Sequence, residues 1–289
     1  QNAGIENYWQ TTFLVLGIII IACNIGLMFV HEPQPTERQI AQRQTDQMIE
    51  EKLGSSGVIA KSIAWISGTI AGPIISFFKR NGLAIALGIL GFVFLFKIGE
   101  AFLGRMSIVF YKEMGFSKGD IALYSKGIGW ITTVVFTLLG GLFAIRSGVV
   151  KAMFISGILM AATNLLFSAL AWYGKSELLF AVAVLLDDIA AAFATVAFVA
   201  FISLLVDRTY TATQYALLAS VGTLGRTTLA ASSGELVDWL EGAKISFFNL
   251  ISFNVENPWA VFFVITAVMV IPSLICLWII RNKLKLSAK

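Results

Sequence analysis

The stretch LLFAVAVLLDDIAAAFATVAFVAFISLL, from Leu178 to Leu205, decides the fold. It is almost wholly apolar, except for two adjacent acids, Asp187 and Asp188, near its middle. A helix crosses a bilayer with about 20 apolar residues, rising about 1.5 Å per residue through a hydrocarbon core of about 30 Å. This stretch is long enough. A charge at bilayer depth costs roughly 2.5 to 3.5 kcal/mol on insertion scales, so it persists where it faces a bundle interior or a watery path. The two acids therefore point to function inside a membrane.

Six further runs have the same character: Trp9 to Val30, Leu83 to Leu103, Ile121 to Ile145, Val150 to Trp172, Thr211 to Asp238 and Trp259 to Ile280. Of all residues, 57% are hydrophobic and 13% charged, with a mean hydropathy of +0.83. A soluble domain carries roughly 25% charged residues. The expected fold is an all-α membrane protein, a helical bundle with about seven transmembrane helices. The chain begins with Gln1, and its first span lacks the basic flank and small-residue cleavage site of a signal peptide. It reads as a fragment of a longer protein.

Basic residues set the expected sidedness. Arg38, Arg43, Lys52, Lys61, Lys79 and Arg80 lie between the first two spans, Arg146 and Lys151 between the third and fourth, and Arg208 between the fifth and sixth; Arg281, Lys283, Lys285 and Lys289 follow the last. The opposite loops hold Arg105, Lys112, Lys118, Lys175 and Lys244. Thirteen against five makes the first side cytoplasmic. The chain then divides into a first transmembrane helix (residues 1–31), a cytoplasmic central loop (residues 32–80) and a transmembrane bundle (residues 81–289). Within the loop, Pro33 and Pro35 end the first span, and Thr36 to Leu53 is polar. Ile59, Ile63, Ile66 and Ile70 follow at helical spacing, then Phe77, Phe78, Lys79 and Arg80, which suits an amphipathic helix lying in the membrane interface. Reading Ser62 to Phe78 as an eighth span would invert every later loop against the basic-residue bias.

The intramembrane charges are the candidate site. Lys97 and Glu100 stand three apart on one helix face and can pair. Lys126 lies in the next span, and Arg226 lies near the middle of the sixth. Three cations and three acids balance, which suggests mutual pairing in at least one conformation. Fixed ion pairs holding the bundle together are the plainer reading of any single residue, but the set exceeds what packing requires. Neighbouring helix residues point about 100° apart, so only one of Asp187 and Asp188 can face a central path, and the sequence leaves open which. Asn164, Thr195 and Gln214 add neutral donors and acceptors, which could equally serve to bond helix to helix. Phe193, Phe198, Phe201 and Tyr215 fit ordinary packing better than contact with a sugar ring.

Other chemistries fare poorly. Cys23 and Cys276 fall inside spans, where neither a disulfide framework nor a metal site is expected, and no cofactor is implied. No solvated basic face with interleaved aromatics suggests nucleic acid. An intramembrane aspartyl protease needs two carboxylates from different helices sharing a proton, not neighbours on one helix. No G-x-S-x-G motif occurs, and the sole histidine, His31, sits at a span end. An enzyme is not expected.

Three patterns carry a family resemblance: KIGEAF (Lys97 to Phe102) with MGFSKGDIALYSKGIG (Met114 to Gly129), AAFATVAFVAF (Ala191 to Phe201) and YTATQYALLASVGTLGR (Tyr210 to Arg226). Together they resemble the second half of AmpG-type muropeptide permeases, a branch of the major facilitator superfamily. Gly141, Arg146 and Gly148 also look like a worn copy of that superfamily's G-x-x-x-D-R-x-G-R-R loop, with Ile145 in place of the acid and Val149 and Val150 in place of the basic pair. The resemblance implies a major facilitator-like bundle in a bacterial inner membrane. Residues 1–31 would be the last helix of the amino-terminal half, whose remainder is missing here, and residues 81–289 the carboxy-terminal six-helix half. It implies import of anhydro-muropeptides, fragments of peptidoglycan, with protons. Lys97, Lys126 and Arg226 would meet substrate carboxylates, while Glu100, Asp187 and Asp188 exchange protons beside Asn164 and Gln214. Another anionic cargo such as acetyl-CoA, or a truncated protein that transports nothing, are the alternatives.

Overall fold

The computed structural model of the chain describes residues 2–29, 40, 70–207, 210–242, 244–247, 251–254 and 256–284. The polar stretch Thr36 to Leu53, apart from Ile40, and the isoleucines at 59, 63 and 66 lie outside the described residues. The chain forms two units, residues 1–56 and 57–289. In the first, α1 (Asn2–Leu27) is a helix that from Phe13 onward carries apolar residues on every side, as suits a helix surrounded by lipid.

The second unit is a helical bundle. Its elements are α2 (Gly72–Asn81), α3 (Leu83–Leu95), α4 (Ile98–Glu113) and α5 (Lys118–Ala122), which runs through a π-helical turn (Leu123–Ile128) into α6 (Gly129–Ser147). Then come α7 (Val149–Tyr173), α8 (Glu177–Leu205), α9 (Thr211–Ala230) and α10 (Ser233–Leu240). A ribbon of β1 (Lys244–Phe247) and β2 (Ile251–Asn254) precedes α11 (Pro258–Val268) and α12 (Ile271–Ile280). The strands pair antiparallel, Lys244 opposite Asn254 and Phe247 opposite Ile251, the one departure from helix and turn among the described elements.

Among the described residues six helical stretches are long and apolar enough to cross a membrane, not the seven expected. The one that falls short is Thr211 to Asp238. It is helical, but broken at Ala231 and Ser232, and its Thr, Ser, Gln and Arg side chains make it too polar to qualify by composition. The expected span Leu83 to Leu103 is longer than the sequence suggested. With no proline to stop it, helix continues through Gly104 to Glu113, so Arg105 and Lys112 sit on α4 and not in a loop.

Local chemistry sets the helix ends. Ser117 Oγ accepts from the Asp120 backbone N–H at 3.1 Å while the Asp120 carboxylate accepts from the Ser117 N–H at 3.0 Å, a reciprocal cap that starts α5. Asn257 Oδ1 accepts from Ala260 N–H at 3.0 Å, with Pro258 at the first helical position of α11. Gly148, at φ +87°, is the single residue between α6 and α7, a left-handed turn that a side chain would strain.

Two of the spans are broken near their middles. The first changes from α3 to α4 at Phe96 and Lys97, where Lys97 leaves helical geometry (φ −100°, ψ 13°). The second changes from α11 to α12 at Met269 and Val270, and Pro272, lacking an N–H, enforces that break. The bundle packs α8 between α6 and α7, α11 on α7, α12 on α3, and α9 on α3 and α4.

Apolar side chains gather in two cores. One holds Phe92, Phe96, Met153, Met160, Ala190, Phe201 and Leu277, with contributions from α2, α3, α6, α7, α8, α9 and α12. The other holds Ile98, Phe110, Tyr111, Phe167, Phe180, Val184, Trp259 and Phe263, with contributions from α4, α7, α8, α9, α10 and α11. Edge-to-face rings join helices in each: Phe92 and Phe201 at 5.1 Å, Tyr111 and Phe180 at 4.7 Å, Phe110 and Phe263 at 4.8 Å. Such pairs add roughly 0.5–1.5 kcal/mol each beyond their contact area.

Candidate functional site: a polar layer between two cores

Each helix that passes from one core to the other changes core at a polar position. On α7 the boundary falls between Met160 and Phe167, where Thr163 and Asn164 lie. On α8 it falls between Val184 and Ala190, at Asp187 and Asp188. From α3 to α4 it falls between Phe96 and Ile98, at Lys97. Polar groups avoid apolar cores because burial without a partner is costly, so they share one layer and bond across it.

Lys97 is the hub. Its Nζ lies 3.0 Å from Glu100 Oε2 and 3.2 Å from Oε1, and it donates to Thr195 Oγ1 of α8 at 2.8 Å. The side chains are mostly buried, 12% exposed for Lys97 and 18% for Glu100. The pairing expected at three-residue spacing is present. What the sequence did not reveal is that Lys97 sits in a helix break, tied to a second helix by a neutral hydroxyl.

The adjacent acids go to different neighbours. Asp187 Oδ1 lies 3.0 Å from the Thr163 hydroxyl of α7. That hydroxyl is also 3.0 Å from the Met160 carbonyl, and its single proton serves one acceptor at a time. Asp188 turns to the start of α6, where a Cβ on Gly129 would stand 2.5 Å from Asp188 Oδ2. Only glycine leaves room for that carboxylate. Glu100, Asp188 and Lys97 all act electrostatically on Asp187, and both aspartates act on the buried Tyr111 of α4. Asn164 is 1% exposed, and its Nδ2, which finds no hydrogen-bond partner among the described residues, lies 3.4 Å from where a Gly99 Cβ would be.

The remaining candidates scatter. The Lys126 side chain lies outside the described residues, though its backbone is in the π-helical turn. Gln214 is in a different place and role: Nε2 donates to the Pro73 carbonyl at 2.9 Å and Oε1 accepts from Asp207 N–H at 2.7 Å. Both ends of its amide are spent on backbone, tying α9 to the start of α2. Arg226 is exposed on α9, with Ser220, Thr223 and Thr227 exposed on the same helix. Its neighbour Gly225 packs closely on the Phe94 carbonyl, and the 100° step from that buried position turns Arg226 away from α3. Phe198 stacks on Phe96 at 5.7 Å, and Phe193 packs near Phe136 and Phe143. These rings are packing. The sequence reading missed Thr163 and Tyr111; Tyr111 lies eleven residues beyond Glu100, close to three full helical turns, and that spacing could have placed it on the same face.

Buried charges and hydroxyls at one depth in a bundle of membrane-length helices define a multi-pass membrane protein with a polar interior. No family model matches the chain. Similarity to individual proteins is extensive. The chain is 32% identical over 277 residues to a protein named "Putative transporter AmpG 4" from Rickettsia conorii, a match covering 96% of this chain and 58% of that protein. It is 31% identical over 277 residues to the protein of the same name from Rickettsia felis. It is 26% identical over 278 residues to the anhydromuropeptide permease of Escherichia coli K12, covering 96% of this chain and 48% of the permease. The chain is thus a homologue of AmpG-type transporter proteins, and it spans about half the length of these relatives.

Proposed function

We propose that the chain is the carboxy-terminal part of a proton-coupled secondary transporter that imports anhydro-muropeptides from periplasm to cytoplasm. The observation that carries the reading is similarity along 96% of the chain to a permease named for that substrate. In this reading residues 1–31 are the last helix of an amino-terminal half, residues 32–80 a cytoplasmic loop and residues 81–289 the second half.

The polar layer supports a simple exchange. Lys97 holds one carboxylate, Glu100, in the present conformation. A substrate carboxylate competes for the same cation, and a cation in a low-dielectric interior attracts an anion more strongly than in water. Protonation of Glu100 frees Lys97 for the substrate, so proton and substrate enter together. Arg226, exposed on the polar face of α9, meets a second anionic group. No covalent step is required, and the protein is a carrier and not an enzyme.

The test is uptake of radiolabelled anhydro-muropeptide into vesicles containing the complete two-half transporter. An inward proton gradient should drive accumulation, and Lys97→Gln should abolish it. Absence of uptake under any gradient, or full accumulation by Lys97→Gln, would overturn the reading.

A further inference from the structure

The two broken spans break at the same level and against each other. Gly99, just past the first break, packs so tightly on the second span that a Cβ there would stand 2.6 Å from the Thr266 carbonyl oxygen and 3.1 Å from the Val270 side chain. On one side of the breaks, α3 and α12 are joined closely: Gly88 faces Ile280, with its Cβ position 2.6 Å from Cγ2, and Gly91 faces Cys276. On the other side, α4 and α11 are joined by Phe110, Trp259 and Phe263 and by a bond from Trp259 Nε1 to Glu113 Oε2 at 2.6 Å. The α4–α11 pair is also bonded to α7, through Ser168 Oγ to the Ala260 carbonyl at 2.8 Å and Asn257 Nδ2 to the Ala171 carbonyl at 2.7 Å.

We propose that α3 and α12 form a two-helix arm that swings about the paired breaks against a frame of α4, α7, α8 and α11. Close to the breaks the arm meets α7 and α8 through apolar contacts, Phe92 on Phe201, Phe96 on Phe198 and Leu274 on Gly157, which slide more readily than hydrogen bonds break. The layer at the breaks is loosely fastened too. Asn164 Nδ2 has no partner among the described residues, and Thr163 has one proton for two acceptors. The fastening that stands in the break itself is Lys97, held to Glu100 on α4 and to Thr195 on α8. Lys97 is therefore the latch at the break, while at the far end of the arm Arg80 Nη1 of α2 donates to the Val206 carbonyl at 3.2 Å, beyond the end of α8. Gly222 and Gly225 seat α9 on the Val93 and Phe94 carbonyls of α3, and the same helix also packs on α4, so α9 and Arg226 bridge the arm and the frame across the break. The inference concerns motion alone and stands whatever the protein carries.

Spin-label distances test it on the full chain in lipid nanodiscs, with Cys23 and Cys276 replaced by serine. One label pair, at Leu87 and Ile108, spans the break; a second, at Leu178 and Val199, spans the same layer on unbroken α8. All four positions are exposed. Each pair is 21 residues apart, or roughly 30 Å on a continuous helix. Lys97→Met should broaden or split the Leu87–Ile108 distribution and leave Leu178–Val199 narrow. If both pairs keep one narrow distance in both proteins, the bundle is rigid and the arm does not exist. Equal broadening of both pairs would mean general loosening and would also overturn it. Glu100→Gln, which keeps the side chain's shape and removes its charge, repeats the test should Lys97→Met fail to fold.

Discussion

Replacing Gly225 with alanine puts the crossing of α9 and α3 to a quantitative test. The added methyl would fall within contact distance of the Phe94 carbonyl oxygen and stand 3.0 Å from both its carbonyl carbon and its ring Cδ2. The nearest obstacle is helix backbone, which cannot rotate aside. Overpacking of this kind costs about 1–3 kcal/mol, and a backbone obstacle places the cost in the upper part of that range. Alanine returns about 1 kcal/mol of helix propensity over glycine. The net expectation is a loss of about 1–2 kcal/mol, a factor of roughly 5–30 in the folding equilibrium. Gly104 on α4 provides the opposite case: nothing stands within 4 Å of its Cβ position, so Gly104→Ala should leave stability unchanged or raise it. Thermal unfolding in detergent, in a Cys23→Ser background, can be followed with a thiol-reactive dye that reaches the part-buried Cys276 on unfolding. Gly225→Ala should melt roughly 2–8 °C lower. A Gly225→Ala protein that melts at or above the wild-type temperature would refute the tight crossing and, with it, the account of why Arg226 faces outward.

Three further outcomes follow from the geometry. Gln214→Leu strands the Pro73 carbonyl and the Asp207 N–H, and at about 1–3 kcal/mol for each buried group left unpaired it should lower the melting temperature, whereas the transport that remains should show unchanged affinity in uptake assays. Arg226→Lys keeps the charge but loses the planar two-pronged donor, so in the complete transporter uptake should fall while expression holds; wild-type uptake would remove Arg226 from the site. Glu100→Gln, Asp187→Asn and Asp188→Asn, made singly, should in at least one case leave substrate exchange intact and abolish accumulation driven by a pH gradient. Unchanged accumulation in all three would assign the protons to groups outside this chain.

What the sequence revealed, and what it hid, divides along a physical line. Charges in the middle of apolar runs are conspicuous because lipid excludes them, so Lys97, Glu100, Asp187 and Asp188 were legible as an interior set. That the two aspartates point in different directions followed from the 100° step alone, though their partners did not. Thr163 and Gly129 carry no signal by themselves, since one hydroxyl and one missing methyl acquire meaning only when another helix brings a carboxylate alongside. Gln214 misled for a related reason. A buried amide looks the same whether it awaits a ligand or holds backbone 141 residues away. The breaks were hidden as well: Pro272 marked one, but the run around Lys97 holds no proline, and hydropathy averages straight across both.

The separate partners of Asp187 and Asp188 have a consequence for inheritance. Side by side in the chain, the two look like interchangeable copies of one letter. Physically, each is written against a different distant position, Asp187 against Thr163 and Asp188 against Gly129. Across descendant lineages, changes at 187 should therefore travel with changes at 163, and any enlargement at 129 should arrive only with a shorter residue at 188. The adjacent pair itself should drift without regard to each other.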